Sequence, residues 1–195
     1  MLAAVTVPAG PSDKGDKMLV PEDAVLVVVD IQGKLASLMH ERERLYDNVR
    51  RLVRGCAALE LPILWTEQVP DKLGPTVPEV AELLAGEPIA KSSFSGWGEG
   101  RFRDALARTG RSQVLLAGIE SHICVYQTAR DLDLAGFQTY LVADAVSSRT
   151  AENRRIGLEA GRAAGARITS VEAGLFEMLG SAEHPAFREI AGIVK

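Results

Sequence analysis

Residues Ser112 to Val146 read SQVLLAGIESHICVYQTARDLDLAGFQTYLVADAV. The opening SQVLLAGI is a nearly continuous apolar run, the signature of a strand covered on both faces. The segment that follows, carrying Cys124, reads as an amphipathic helix, and FQTYLVADAV returns to a β-rich run. Strand, helix and strand within so short a span make a crossover unit, whose two strands lie parallel in one sheet.

The same alternation extends outward in both directions. AVLVVVD (Ala24–Asp30) is a second continuous apolar run, and LPILWTE, IAKSS and ARITS are further short strands. Between them, LYDNVRRLVRGCAAL (Leu45–Leu59) sets Leu45, Val49, Leu52, Val53 and Cys56 at helical spacing. GRFRDALARTG is a helix stopped by Gly110, TAENRRIGLEAGRAAG another, and VEAGLFEML and FREIAGIV close the chain as helices. The segment from Gln68 to Pro88 carries four prolines and reads as a long loop with a short helix, suited to shaping a binding site. No compositional break or internal repeat divides the pattern. It predicts one α/β domain over 21–195, a parallel sheet with helices on both faces, preceded by a flexible N-terminal arm over 1–20.

The bulk composition narrows the function classes. The 195 residues include 47% hydrophobic and 25% charged positions, with a net charge of −4 and a pI near 5.5. The 22 basic residues are scattered, which leaves no footprint for nucleic acid or an anionic membrane. The longest strongly apolar run, AVLVVV, is too short to span a bilayer, and MLAAVTVPAGPSDKGDK lacks the basic and apolar regions of a signal peptide. Two dissimilar cysteines make neither a disulfide framework nor a zinc site, so reduced thiols and a cytoplasmic location are expected. The expected partners are a small-molecule substrate and further copies of the chain.

In parallel α/β sheets the site lies beyond the carboxyl ends of the strands. Three of those ends carry chemically distinctive groups: Asp30 in VVVDIQ, Lys91 in IAKSSFS and Cys124 in GIESHIC. Taken singly, Asp30 could cap a turn, Lys91 could be solvated and Cys124 could be an inert core thiol. Together they offer a base, a cation and a nucleophile. A sulfur at a helix start beside a cation has its thiolate stabilised, a carboxylate can carry the proton, and backbone amides can hold an oxyanion. His122, two residues from Cys124, points to another face, and His40 and His184 lie in polar or terminal stretches. Cys56 sits on an apolar stripe, as a packing residue.

These segments, VVVDIQ, the lysine of AKSSFS, GIESHICVYQTARDLDLAGFQ and VADAVSSR, resemble the isochorismatase-like cysteine hydrolase superfamily from about Ala24 to Ser170. TEQVPDKLGPTVPE and GIESHICV look closest to its isochorismatase domain-containing branch. The resemblance implies a three-layer α/β/α sandwich around a six-stranded parallel sheet, with Asp30, Lys91 and Cys124 as the catalytic triad. It also implies a non-proline cis peptide at Glu120–Ser121, turning backbone amides near Cys124 into the oxyanion hole.

Nicotinamidases of this superfamily have a metal-binding Asp-x-His pattern after the second strand. Here LWTEQVPDKLG has no histidine, and Glu67 with Asp71 is a poor set for a transition metal, so neither metal nor cofactor is expected. Gln32, Trp65, Phe94, Trp97 and Tyr126 lie near the triad ends and are candidates for the pocket wall. Gly96, Gly98 and Gly100 lack the order of a phosphate-binding loop. The leading expectation is a metal-independent cysteine hydrolase of a small amide or related carbonyl compound, acting through a thioester. A non-catalytic binding protein of the same fold, or a thiol redox protein, stands as the alternative.

Overall fold

A computed structural model describes residues 18–195, so most of the expected N-terminal arm lies outside the described residues. Leu19 is already part of the packed domain: it is fully buried, and its N–H donates to Glu177 Oε1 at 2.8 Å.

The six predicted strands are present as β1 (Ala24–Val29), β2 (Ile63–Gln68), β3 (Ile89–Lys91), β4 (Gln113–Ile119), β5 (Gln138–Ser147) and β6 (Arg167–Thr169). They form one sheet in the order β3-β2-β1-β4-β5-β6, with every neighbouring pair parallel. The strand order reverses direction between β1 and β4, which makes that seam the place for a crevice. All residues of β1 are buried, as its unbroken apolar run requires. Leu26 and Val28 point to one core, and Val25, Val27 and Val29 to the other.

The helices are α1 (Gly33–Ser37), α2 (Arg42–Ala58), α3 (Pro70–Leu73), α4 (Pro78–Ala81), α5 (Gly100–Thr109), α6 (Tyr126–Leu134), α7 (Ala151–Ala163), α8 (Val171–Leu179) and α9 (Phe187–Ile193). Leu45, Val49, Leu52, Val53 and Cys56 of α2 pack with Val171, Leu175 and Met178 of α8 and Ile190 of α9 on one face. Phe102 and Leu106 of α5, Ala129 and Leu132 of α6, and Leu158 of α7 cover the other. The result is the expected three-layer α/β/α sandwich. The Gln68–Pro88 segment holds two short helices, α3 and α4, each opened by a proline at its first turn.

Local sequence sets the boundaries. Thr150 and Ser170 cap α7 and α8 by accepting from the N–H groups of Asn153 (3.1 Å) and Ala173 (3.2 Å). Gly110 adopts a left-handed φ of 67° to end α5. At the central seam Gly118 has φ +132°, and a Cβ there would lie 2.1 Å from the Val29 carbonyl oxygen. Only glycine lets the ends of β1 and β4 come this close. Among the described residues no helix is long and apolar enough to cross a membrane.

Candidate active site

Immediately after β1, Asp30 takes a left-handed backbone, φ +55°, a conformation short acidic side chains tolerate better than β-branched ones. Its N–H donates to the Thr66 carbonyl of β2 at 3.1 Å, and its Oδ1 accepts from the Thr66 hydroxyl at 2.7 Å. Its Oδ2 lies 2.7 Å from Nζ of Lys91, the last residue of β3. That ammonium also reaches the carbonyls of Phe94 (3.0 Å) and Ser93 (3.2 Å) and the side-chain oxygen of Gln68. Both members of the ion pair are buried, so each charge depends on these partners in place of water.

Cys124 arrives from β4. Glu120 turns left-handed, φ +54°, and Ser121–Val125 form a single wide π-type turn that leads into α6. Such turns insert an extra residue and are common at functional sites. The peptide expected to be cis at Glu120–Ser121 is trans; the described residues contain no cis peptide. The chain turns from β4 into α6 through the left-handed Glu120 and the wide turn instead.

The Cys124 thiol is 7% exposed. Burial first, and then the neighbouring Asp30 carboxylate as charge and hydrogen-bond acceptor, together push it up to about 12 against the opposing pull of Lys91. A thiolate stabilised at rest was the expectation from a helix start beside a lysine. Here Lys91 is already paired with Asp30, and burial with that carboxylate outweighs the pull of the ammonium on the sulfur.

Two further contacts hold this turn. Thr128, buried on α6, accepts from the Gly96 N–H at 2.9 Å and donates to the Cys124 carbonyl at 2.7 Å, linking the loop after Lys91 to the backbone of Cys124. Gly157 of α7 packs directly on the turn: a Cβ there would lie 2.4 Å from the Ser121 carbonyl carbon. The lysine loop itself is gathered by Glu99, whose Oε1 accepts from the N–H groups of Ser92 (2.9 Å) and Ser93 (3.1 Å) and from the Ser93 hydroxyl (2.9 Å). These hydrogen bonds lower the Glu99 carboxyl to about 2.

Asp30 and Cys124 open on a cavity of about 200 Å³, walled by Leu35, Leu73, Phe94, Ile119 and Ile123, with Gln68, Glu120 and Arg149 as its other polar residues. Of the aromatic and polar wall residues expected from sequence, Phe94 is there. Gln32 is not: its amide is fully engaged with the Gln68 N–H (2.6 Å) and the Gly74 carbonyl (2.7 Å), fastening the α3 segment. Trp65 lies in the α2-side core with its indole N–H on the Ala85 carbonyl, Trp97 packs edge-on against Phe137, and Tyr126 lies under Arg130. Gln68 and Arg149 were missed although they stand at or just beyond the ends of β2 and β5, where the strand-end rule points. His122 does not contact the thiol; its Nδ1 is 3.0 Å from Ser148 Oγ. Glu67 Oε1 is taken by the N–H (2.7 Å) and hydroxyl (2.9 Å) of Thr76.

The family model for the Isochorismatase domain matches residues 24–173. Isochorismatase domain-containing protein 2 of Danio rerio is 38% identical over 168 residues, covering 86% of this chain and 84% of that protein. Among solved structures, the MAR1 ribonuclease of Caenorhabditis elegans superposes with a TM-score of 0.85 at 36% identity, covering 91% of this chain and 92% of that one. YcaC from Pseudomonas aeruginosa, solved with hexane-2,5-diol and covalent acrylamide, also superposes at 0.85, with 26% identity and 93% of each chain covered. With its six parallel strands, its crevice at the β1–β4 seam and these matches over most of its length, the chain belongs to the isochorismatase family.

Proposed function

We propose that the protein is a metal-independent cysteine hydrolase of a small amide or related carbonyl compound, with Asp30, Lys91 and Cys124 as its catalytic residues. The observation that carries this reading is the placement of the Asp30 carboxylate against both the Cys124 thiol and, at 2.7 Å, the Lys91 ammonium. Asp30 takes the thiol proton as the sulfur attacks the substrate carbonyl. Lys91 holds the carboxylate in register and balances the negative charge that passes from Asp30 to the substrate. Amide groups at the opening of a helical turn lack intrahelical partners, and those around Cys124 receive the oxyanion. When the tetrahedral adduct collapses, Asp30 returns the proton to the departing amine and a thioester remains. Water then adds to the thioester, losing its proton to Asp30, and the acid leaves as the sulfur is reprotonated.

The apolar wall suits a compact apolar acyl group, and nothing in these steps calls for a cofactor. The YcaC structure, of the same fold at 26% identity, holds acrylamide covalently, which supports a site of this fold with room for a small carboxamide. We further propose a reducing, cytoplasm-like setting, which keeps both thiols free, and self-association, whose subunit count light scattering reads. The test of the reaction is a panel of small amides assayed with the parent protein and C124A, with intact-mass trapping of the acyl adduct. Hydrolysis should fall by a factor on the order of 10³ or more, and the adduct should vanish. Hydrolysis that survives in C124A overturns the assignment.

A further inference from the structure

The Gln68–Pro88 segment walls a second cavity besides the one on which Asp30 and Cys124 open. Leu73 belongs to the first; Pro75, Pro78 and Glu79 line the second, a groove of about 460 Å³ completed by Arg42, Glu43 and Tyr46 of α2. The two cavities share no lining residue. The segment is fixed where it meets the groove: the Gly33 N–H donates to the Pro75 carbonyl at 3.1 Å, and the Val77 N–H to the Ile31 carbonyl at 2.9 Å. The groove is therefore formed before any guest arrives, and little ordering opposes binding.

Most of its polar groups are already engaged. The N–H and hydroxyl of Thr76 both donate to Glu67 Oε1, Ser37 Oγ donates to the Lys34 carbonyl at 2.7 Å, and Arg42 Nε donates to Glu43 Oε1 at 2.8 Å. Glu43, in the first turn of α2, also answers the positive end of that helix. Two groups are left over. Tyr46 is 7% exposed, yet its hydroxyl makes no hydrogen bond among the described residues and is not sealed from solvent. Glu79 is exposed and, among the described residues, neither hydrogen-bonded nor ion-paired. The two are near enough to interact. Burial first, then the Glu79 charge and to a smaller extent that of Glu43, raise the Tyr46 phenol above its ordinary range, against the pull of Arg42. With Arg42 and Glu43 cancelling, the groove keeps one negative charge, an unused hydroxyl and an apolar wall of Pro75, Val77 and Pro78.

We propose that this groove is a second ligand site, which takes a small primary ammonium compound with an apolar body. The ammonium has three donors, enough to engage the Glu79 carboxylate and the Tyr46 hydroxyl oxygen together. Its apolar body packs on Pro75, Val77 and Pro78.

The test uses three probes with one body and three charges: phenethylamine, phenethyl alcohol and hydrocinnamate. Each is titrated to millimolar concentration into the isotope-labelled protein, and the amide signals are followed by NMR. Phenethylamine should move the signals of Gly33, Thr76, Val77 and Glu79 and bind about three- to tenfold more tightly than phenethyl alcohol, while hydrocinnamate moves none of them. E79Q removes the charge from an exposed side chain of unchanged size, and phenethylamine should fall to the affinity of the alcohol. Y46F strips only the hydroxyl and should weaken phenethylamine about threefold. Equal affinity for the three probes, phenethylamine shifts that lie only outside the groove, or no shift at all overturns the proposal. So does an E79Q variant that binds phenethylamine as the parent does. Should Y46F not fold, E79Q decides, because its side chain makes no contact on which folding depends. None of these readings involves Cys124, so the result stands whether or not the hydrolase reading does.

Discussion

Cys124 rests as a thiol, and that decides how its proton must move. Burial, with Asp30 beside it, holds the group up at about 12, so its reactivity should climb about tenfold per pH unit from pH 7 to 10 with no plateau near 8.5. Iodoacetamide kinetics followed by mass check this, and a plateau at neutral pH contradicts it. Asp30 contributes to the rise both as a negative charge and as hydrogen-bond acceptor, whereas Lys91 opposes it. D30N removes the two influences that come from Asp30 and keeps burial and the downward pull of Lys91, so the thiol's pKa falls toward its ordinary range. Alkylation at pH 8 should therefore speed up in D30N, while amide hydrolysis should drop about 10²- to 10⁴-fold for want of the base. Circular dichroism confirms that the variant compared is folded, since Lys91 loses its buried partner. A parallel fall in both rates would remove Asp30 from the role of proton acceptor. The residues themselves were legible in the sequence because each ends a strand. Their pKa logic was not, because the Lys91–Asp30 pairing that occupies the cation comes from different crossovers.

The elements that carry these residues are fastened by contacts that the sequence pattern hides. Thr128 is one turn after Cys124, and its hydroxyl joins the Gly96 N–H to the Cys124 carbonyl. T128V preserves volume and strips the bridge, leaving a buried donor and acceptor unpaired, at about 1–3 kcal/mol. Urea denaturation should show this loss, Cys124 reactivity should change with it, and T128S should restore both. Gly157 is the second fastening, and a methyl group there meets the Ser121 backbone head-on. G157A should cost about 1–3 kcal/mol despite alanine's better helix propensity, because a backbone neighbour cannot swing aside. A stabilised G157A would mean the turn yields easily. The third is Glu99. Its folded carboxyl is lowered from 4.5 to about 2, so its support of the lysine loop is complete above pH 4.5 and fades as pH falls through about 2. E99Q should melt a few degrees lower than the parent at pH 7, and scanning calorimetry should find the gap closing toward pH 2. Helix periodicity located α6 and α7 in the sequence. The wide turn at Ser121–Val125 escaped it because one inserted residue, and a left-handed glutamate before it, leave no periodic trace.

At the scale of the whole molecule the sheet separates two chemistries. The unbroken run AVLVVV announced a strand covered on both faces, yet with no alternation it could not say which helix covers which face. The structure assigns α2, α8 and α9 to one side and α5, α6 and α7 to the other. The closing helices therefore spend most of their apolar surface inside the chain: Val171, Leu175, Met178 and Leu179 are buried, and Phe176 packs edge-on against Phe187. The same division puts Cys56 in the α2-side core and Cys124 in the α6-side core, with the sheet between them. A disulfide needs Cα atoms within about 7 Å, which two residues on opposite faces of a sheet do not reach. Cys56 is also held up at about 12 by burial alone, with no charged group to activate it. Peroxide treatment of the folded protein should give no Cys56–Cys124 bond by non-reducing peptide mass spectrometry. C56A should cost about 1 kcal/mol from the lost core atom and leave Cys124 alkylation unchanged. A Cys56–Cys124 peptide recovered from the folded protein, or a C56A variant with altered Cys124 reactivity, would mean that the two faces communicate through a motion large enough to open the sandwich. The redox reading would then displace the hydrolytic one.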